Sequence, residues 1–207
     1  MSNISIRSFE VGYLQTNCYV VSDGRFCVVL DPGGKADRVF RYIEEKGWIG
    51  VAVLLTHGHF DHILGLIDFV HKGYKVYIHK DDEKMLRNEG NLADTVGLLA
   101  LPEVTANGTV FDGEELTFGE MTFRVYHTPG HTEGSCCYDL DGRYLFSGDT
   151  LFYHSHGRTD VPGGDDEAMV SSLRKLFSLS GDREVFPGHG RSTNLSAEKE
   201  FFDRFYR

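Results

Sequence analysis

The sequence of 207 residues lacks any apolar run that approaches the roughly 20 residues needed to cross a bilayer. Its first residues, 1–7, also lack the basic start and apolar segment of a secretory signal. Basic residues are few: 21 Lys and Arg stand against 31 Asp and Glu, which gives a formal net charge of -10. Binding to nucleic acid or to an anionic membrane relies on clustered positive charge. We therefore expect a cytoplasmic protein that binds neither.

Cysteine is also rare, with only Cys18, Cys27, Cys136 and Cys137 in the chain. Cys136 and Cys137 are neighbours in a strand-like run, where adjacent side chains point to opposite faces, so we do not expect them to pair with each other. Because no secretory signal is visible, the sequence predicts four buried, reduced thiols.

The chain shows no linker, repeat or low-complexity segment, which predicts a single domain over residues 1–207. Apolar and β-branched runs between turn signals predict strands at 4–11, 17–22, 26–30, 51–55, 75–79, 121–126 and 184–186, within a strand-rich stretch from 110 to 152. Helical patterns cover 35–46, about 61–70, 81–87, 165–177 and 197–206, and residues 91–107 fit a helical turn and a loop over the site. This order predicts an α/β (α+β) fold with two sheets packed face to face and helices on the outer faces.

Histidine is concentrated where one predicted strand ends. The buried strand 51–55 leads into His57, His59, Asp61 and His62, so three of the chain's 10 histidines lie within six residues. Alternate residues of an extended backbone lie on the same side, so His57 and His59 can reach one metal ion. Asp61 and His62, at the turn into the next helix, can reach a neighbouring position. Burying this many imidazoles without partners is costly, so the cluster favours metal binding over a purely structural role.

Three more candidate ligands follow later strands. His131, Asp149 and His189 each lie just past a predicted strand, in a turn that contains glycine. Each of these turns alone is as consistent with a structural residue as with a ligand. Because rigid strands are well suited to fix ligand geometry, their combination with the first cluster predicts one metal centre.

The segments HGHFDH, TPGHTEGS, SGDTLF and PGHG resemble the metallo-β-lactamase superfamily, in order and over nearly the whole chain. The resemblance implies a four-layer αββα sandwich that holds two metal ions. The implied ligands are His57, His59 and His131 for the first ion, Asp61, His62 and His189 for the second, and Asp149 bridging both. The other histidines have no place in this set, although His154 and His156 lie near the site in sequence and could affect the handling of substrate or metal.

The family resemblance also implies a mechanism. Two metal ions about 3.5–4 Å apart can hold a hydroxide that attacks a carbonyl carbon or a phosphorus. Asp61 would act as the catalytic residue that orients the attacking water and accepts its proton. Five imidazoles and two carboxylates suit zinc, and iron or manganese are compatible with the same donors.

Within the superfamily the chain most resembles short, single-domain members of the glyoxalase II group, the hydroxyacylglutathione hydrolases. The supporting segments are GDTLF at 148–152, GRTD at 157–160 and PGG at 162–164. Arg158 would bind a carboxylate of the glutathione portion, or else form an ion pair with Asp160 or another acid. Longer glyoxalase II enzymes continue into a helical domain that supplies much of the glutathione site, whereas this chain ends one helix after His189. The expected substrate is thus a small thioester such as lactoylglutathione or a related ester, hydrolysed by a monomer or small homo-oligomer.

Other activities share this fold. A persulfide dioxygenase would use one iron held by His57, His131 and Asp149, and the presence of Asp61, His62 and His189 disfavours that reading. Acidic charge and the lack of a basic inserted arm disfavour phosphodiester cleavage. Lactone hydrolysis remains open, β-lactam hydrolysis would require export, and a non-enzymatic binding module would be expected to have lost ligands.

Overall fold

Two six-stranded sheets make up the centre of the computed structural model, which describes residues 4–205. In the first sheet the strands lie side by side in chain order: β1 (Ser5–Val11), β2 (Thr16–Ser22), β3 (Phe26–Leu30), β4 (Ile49–Leu54), β5 (Lys75–His79) and β6 (Gly108–Val110). In the second sheet the strands also lie side by side in chain order: β7 (Glu115–Phe118), β8 (Met121–His127), β9 (Cys136–Leu140), β10 (Tyr144–Gly148), β11 (Glu184–Pro187) and β12 (Thr193–Asn194).

Helices cover the outer face of each sheet. The first sheet carries α1 (Asp37–Lys46), α2 (Phe60–Ile63) and α3 (Leu66–His71), and the second carries α4 (Asp166–Phe177) and α5 (Leu195–Phe205). Short 3-10 helices occupy Lys80–Arg87 and Asp94–Val96. Three apolar clusters separate the four layers, and the central one joins both sheets through residues such as Leu30, Leu54, Phe123 and Tyr138. The predicted αββα sandwich is confirmed.

The direction of the strands brings the candidate ligands to one end of the sandwich. β8 and β10 are both antiparallel to β9, and β11 is parallel to β10, so the carboxyl ends of these three strands share one edge. The end of β4 meets the same edge, because the amide of Cys136 donates to the carbonyl of Thr56 over 2.9 Å. A bridge between Thr16 and His189 also joins the two sheets there.

The predicted helix over about 61–70 is broken into α2 and α3. At the break the amide of Gly65 donates to the carbonyl of Pro32 over 2.8 Å, and a Cβ at Gly65 would lie 2.0 Å from the carbonyl oxygen of Gly34. The chain therefore packs against the turn after β3 too closely for a continuous helix with side chains. The predicted helix over 81–87 is a 3-10 helix, and the predicted end of the last helix at Tyr206 lies outside the described residues.

Residues 91–107 form mostly irregular structure beside the site, in line with the expected helical turn and loop. The carbonyl of Asn91 accepts from the amide of Phe60 over 2.8 Å, which ties this segment to the His57–His62 region. The four cysteines are buried and form no disulfide. None of the helices within residues 4–205 is long and apolar enough to span a membrane.

Candidate metal centre

All seven predicted ligands lie together at the common edge of the two sheets. Their ligand atoms form three overlapping groups, and within each group the atoms lie within 4.8 Å of one another. The groups are His57, His59 and His131; Asp61, His62 and His189; and His57, His62 and Asp149. Six of the seven side chains are buried, and His189 is partly exposed.

Asp149 lies between the first two groups. Its Oδ1 is 3.4 Å from Nε2 of His62, and its Oδ2 is 3.5 Å from Nε2 of His131 and 3.6 Å from Nε2 of His189. One carboxylate thus faces histidines of both groups. This is the position that a bridging ligand requires.

Oxygen atoms fix the outer nitrogen of several imidazoles. Nδ1 of His131 donates to the carbonyl of Arg158 over 2.7 Å, Nδ1 of His189 donates to the carbonyl of Leu14 over 3.1 Å, and Nδ1 of His62 lies 3.0 Å from a carboxylate oxygen of Asp31. A neutral imidazole that carries its proton on Nδ1 presents a lone pair at Nε2. The two carbonyl contacts therefore hold the rings of His131 and His189 with Nε2 toward the centre, as the outer partners of metal-binding histidines do, whereas Nδ1 of His62 has no hydrogen-bond partner among the described residues.

Thr56 extends the same arrangement to His57. The Thr56 hydroxyl donates to Asp31 over 2.7 Å, so its oxygen is available to accept from Nδ1 of His57, 3.1 Å away. Nε2 of His57 then also carries a lone pair. Asp31 directly follows β3, in the turn Asp31-Pro32-Gly33-Gly34, and was not among the predicted site residues. An acidic residue at a strand end is the signal that could have revealed it.

The chemistry of these donors fits metal ions. Nε2 of His57, Nε2 of His62 and Oδ1 of Asp149 are buried and have no hydrogen-bond partner among the described residues. Leaving a buried polar atom unsatisfied costs about 1–3 kcal/mol, which metal coordination would remove. Nδ1 of His59 also lies 2.9 Å from Nε2 of His131, so two ring nitrogens converge at one point. Imidazole and carboxylate donors of this kind hold divalent ions.

Burial and neighbouring charges set the protonation of the metal-free centre. Burial, together with the neighbouring imidazoles, holds the pKa of His57 well below its usual value and lowers the pKa of His59 to about 3. Burial alone would raise the pKa of Asp61, but His62 and His189 outweigh it and lower that pKa below its ordinary value. The first-group histidines His57 and His59 are therefore neutral at neutral pH, and Asp61 is a carboxylate, as metal ligation requires.

A hydroxyl group holds Asp61 in place. The hydroxyl of Thr16, at the start of β2, donates to Oδ2 of Asp61 over 3.0 Å, and the same oxygen lies 3.2 Å from Nε2 of His189. The Asp61 carboxylate is thereby fixed between the two sheets.

Asp82 is a functional residue that the sequence interpretation missed. It is fully buried on the 3-10 helix and accepts from the amide of Gly58 (3.2 Å), the hydroxyl of Thr132 (2.7 Å) and the amide of Gly134 (2.8 Å). Gly58 lies between His57 and His59, and Thr132 follows His131. One carboxylate therefore fastens together the two loops that carry the first group of histidines.

The side chain of Arg158 pairs with Asp160. Its guanidinium forms two hydrogen bonds with Asp160, of 2.7 and 2.9 Å, and its side chain is 66% exposed. The ion pair with Asp160 is thus formed, while the main chain of Arg158 contacts His131. The predicted role of Arg158 in binding substrate stays a prediction.

The two histidines that follow Asp149 belong to the packing around α5. The ring of His154 stacks between Tyr153, at 3.9 Å, and Phe201, at 4.1 Å. Nδ1 of His156 lies 2.8 Å from the carbonyl of Gly157. Neither belongs to the three groups of potential ligands.

Comparisons with known proteins agree with this geometry. The model of the metallo-beta-lactamase superfamily matches residues 11–189. The chain is 36% identical over 201 residues to the probable metallo-hydrolase YqgX of Bacillus subtilis, with 94% of each chain covered. It is 33% identical over 204 residues to the hydroxyacylglutathione hydrolase GloC of Haemophilus influenzae, with 95% of each chain covered.

Solved structures with the same fold include three informative neighbours. The BLEG-1 B3 metallo-beta-lactamase superposes with a TM-score of 0.87 at 34% identity, covering 95% of this chain and 97% of that one. TTHA1623 in a di-iron-bound form superposes with a TM-score of 0.83 at 35% identity, covering 94% of this chain and 98% of that one. ETHE1 from Myxococcus xanthus superposes with a TM-score of 0.78 at 28% identity, covering 97% of this chain and 84% of that one. With its sandwich fold and the cluster of histidines and aspartates that could hold metal at the sheet edge, the chain belongs to the metallo-β-lactamase superfamily.

Proposed function

We propose that this protein is a binuclear thioesterase of the glyoxalase II type, which hydrolyses a small hydroxyacyl thioester such as lactoylglutathione. The observation that carries the proposal is the complete second group, Asp61, His62 and His189, beside the first group of three histidines. A centre with a single ion would leave this second group without a metal to hold. The likeness to the hydroxyacylglutathione hydrolase GloC over 95% of both chains supports the choice of substrate class.

The residues of this chain have separate tasks in the proposed reaction. His57, His59 and His131 would hold one ion and Asp61, His62 and His189 the other, with Asp149 shared. When bound, divalent ions such as zinc, iron or manganese lower the pKa of water and polarise a carbonyl oxygen. Asp61 orients the attacking water and accepts its proton at Oδ2, and the Thr16 hydroxyl keeps that oxygen in position. The orienting contacts to Arg158, Leu14 and Asp31 hold the imidazoles in the geometry that the reaction needs.

A second candidate function is the oxidation of a persulfide at a single iron held by His57, His131 and Asp149. The structural likeness to ETHE1 at 28% identity over 97% of this chain favours keeping it in view. Under this alternative Asp61, His62 and His189 would hold no ion.

Metal content and two activity assays separate the candidates. Purified protein should contain close to two ions per chain by elemental analysis and should hydrolyse lactoylglutathione. One iron per chain, together with oxygen uptake on glutathione persulfide and no thioester hydrolysis, would establish the dioxygenase instead.

Asp149→Asn gives a further test, with Asp139→Asn as its matched control. Asp139 is also a buried aspartate, but its partner is Arg183, whose Nε lies 2.9 Å away. The Asp149 variant should lose at least about a hundredfold in kcat, on the scale of a lost catalytic electrostatic contact, while the Asp139 variant keeps its kcat. If the Asp149 variant kept the kcat of the parent protein, the assignment of Asp149 as a bridging ligand would be wrong.

A further inference from the structure

A fourth group of side chains that can bind metal lies at the same edge of the sandwich as the centre. His79 ends β5, which is parallel to β4 and next to it, so His79 lies at the edge where His57 follows β4. His127 ends β8 at that edge, and Asp81 lies on the 3-10 helix Lys80–Arg87. One nitrogen of each ring and one carboxylate oxygen lie within 4.8 Å of one another. These three residues are separate from the seven candidate ligands of the centre.

The two imidazoles of this group lie face to face. The rings of His79 and His127 are stacked, with 4.0 Å between their centroids and 8° between their planes. Burial and the neighbouring ring of His127 lower the pKa of His79 to about 4. The ring of His79 is therefore neutral at neutral pH, which is the form of imidazole that binds a metal ion.

A main-chain carbonyl fixes the proton of the other ring. Nε2 of His127 lies 2.9 Å from the carbonyl oxygen of Glu133, and because a carbonyl can only accept, Nε2 is the donor. In the neutral ring the lone pair is then on Nδ1. At the centre, carbonyls hold His131 and His189 in the same way. Such a contact to the outer nitrogen is typical of imidazoles that bind metal.

Asp81 supplies a carboxylate close to the ring of His79. Its Oδ2 lies 3.5 Å from Nδ1 of His79, and its side chain is 42% exposed. The same Nδ1 accepts from the amide of Asp81 at the long distance of 3.4 Å, so it carries a lone pair near the carboxylate. Within residues 4–205 no lysine or arginine forms an ion pair with Asp81. A cation between the nitrogen and the carboxylate oxygen would satisfy both acceptors.

The lysines around this group oppose a bound cation only weakly. Nζ of Lys175 lies 2.5 Å from a carboxylate oxygen of Asp112, and Nζ of Lys84 lies 2.7 Å from one of Glu133. Each of these positive charges is therefore offset by an acidic partner. Lys80 is exposed, so water and salt screen its charge.

We propose that His79, Asp81 and His127 form an additional metal site, which binds one divalent transition-metal ion of the zinc class. Two imidazoles and a carboxylate are donors that zinc accepts, with water completing the coordination. Two nitrogens on one tetrahedral ion lie roughly 3.4 Å apart with their lone pairs converging, so the His127 ring must tilt out of the stack. Its partial exposure allows this movement. The site does not depend on the proposed thioesterase function.

The additional site should bind its ion more weakly than the centre does. It has three protein ligands, and the carboxylate among them is open to water, whereas the ligands of the centre are mostly buried. Gel filtration should therefore strip this ion and leave the ions of the centre in place.

Calorimetric titration of Zn²⁺ into metal-loaded, gel-filtered protein tests the proposal. The parent protein should bind one further ion per chain. His127→Gln and Asp81→Asn each remove a ligand and should weaken this binding at least about tenfold, since loss of an outer contact alone costs about 10–100-fold. Asp81→Asn keeps the size of an exposed side chain, so it serves as the test even if His127→Gln does not fold.

His71→Gln and Asp37→Asn are the matched controls, because both residues are exposed and belong to none of the four groups. Both variants should bind the further ion as the parent protein does. The NMR signals of the His79 and His127 rings give a direct readout and should change as Zn²⁺ is added. Mg²⁺, which prefers oxygen ligands, should leave these signals unchanged.

His189→Gln shows whether a further ion belongs to the centre instead. If the centre of the parent protein were only partly filled, the added Zn²⁺ would bind beside His189, and its binding would be lost in the His189 variant and kept in the His127 and Asp81 variants. That result would overturn the proposal. So would the absence of a further ion in the parent protein, or equal weakening in the control variants.

Discussion

Replacing Asp82 by Asn should weaken metal binding at the first group of histidines, although Asp82 is not one of the candidate ligands. In the parent protein, Oδ2 accepts from Gly58 and Thr132 and Oδ1 accepts from Gly134. An asparagine side chain has one accepting oxygen and one donating nitrogen, so it must turn a donor toward at least one of these groups. The loops that position His57, His59 and His131 would shift relative to each other.

The expected losses of stability and of metal affinity follow from two general magnitudes. A buried donor that loses its acceptor costs about 1–3 kcal/mol, which should appear in the free energy of unfolding of the metal-free protein. Mutation of a residue that orients metal ligands typically lowers metal affinity about 10–100-fold. We expect Asp82→Asn to show both effects, with the loss of affinity confined to one of the two ions.

The assay removes metal with a chelator and titrates Co²⁺ back while the visible absorption of the bound ion is followed. Urea unfolding of the metal-free protein measures stability in parallel. Asp139→Asn is the control for a merely structural role, because Asp139 is 3% exposed and bonded to Arg183. It should lower stability by a similar amount and leave both ions bound as before. Unchanged binding of both ions to the Asp82 variant, or equal weakening in the two variants, would refute the reasoning.

Two further predictions concern other positions. A Cβ at Gly188 would lie 2.2 Å from Oδ1 of Asp149 and 2.8 Å from Cε1 of His62, so Gly188→Ala should reduce the metal content measured by elemental analysis to below about one ion per chain. Gly73→Ala is the control: its Cβ has open space, and the φ of +84° places only backbone strain at a site away from the centre, so it should keep the metal content of the parent protein. Burial and the stacked ring of His127 lower the pKa of His79 to about 4, below the value of about 6.5 in the unfolded chain. As the pH falls from about 6.5 to about 4, His79 takes up a proton in the unfolded chain before it does so in the folded chain. The metal-free protein therefore loses stability over this range. His79→Gln should remove on the order of 2 kcal/mol of that loss in urea unfolding between about pH 7 and pH 5, with His71→Gln, at an exposed position, as the control variant.

The features that the sequence predicted are those that depend on neighbouring residues. Strand and helix patterns have a period of a few residues, so the layers and most element boundaries could be placed. The seven candidate ligands could be predicted to lie together because each follows a strand end in a recognisable turn. The order of these turns also matched one family, and a family resemblance carries three-dimensional information that spacing alone does not.

What could not be predicted depends on contacts between distant residues. Gly65 breaks a helix because of Pro32 and Gly34, and nothing in the local pattern around Gly65 shows their approach. The carbonyls of Leu14 and Arg158 orient imidazoles through main-chain atoms, which every residue possesses. In the sequence Asp82 looks like any other acidic residue of a surface helix. Only the fold shows that it contacts the two loops that carry the first group of histidines.

The partial exposure of His189 has a consequence for how the centre gains and loses metal. Its side chain is 27% exposed, whereas the side chain of His131 in the first group is 6% exposed, and His57 and His59 are buried. In the proposed binuclear centre, water and small chelators would therefore reach the second ion most readily on the side of His189. When metal is scarce, the chain should pass from two ions to one by losing the ion beside His189, so that the number of ions per chain would report how much metal the surroundings supply.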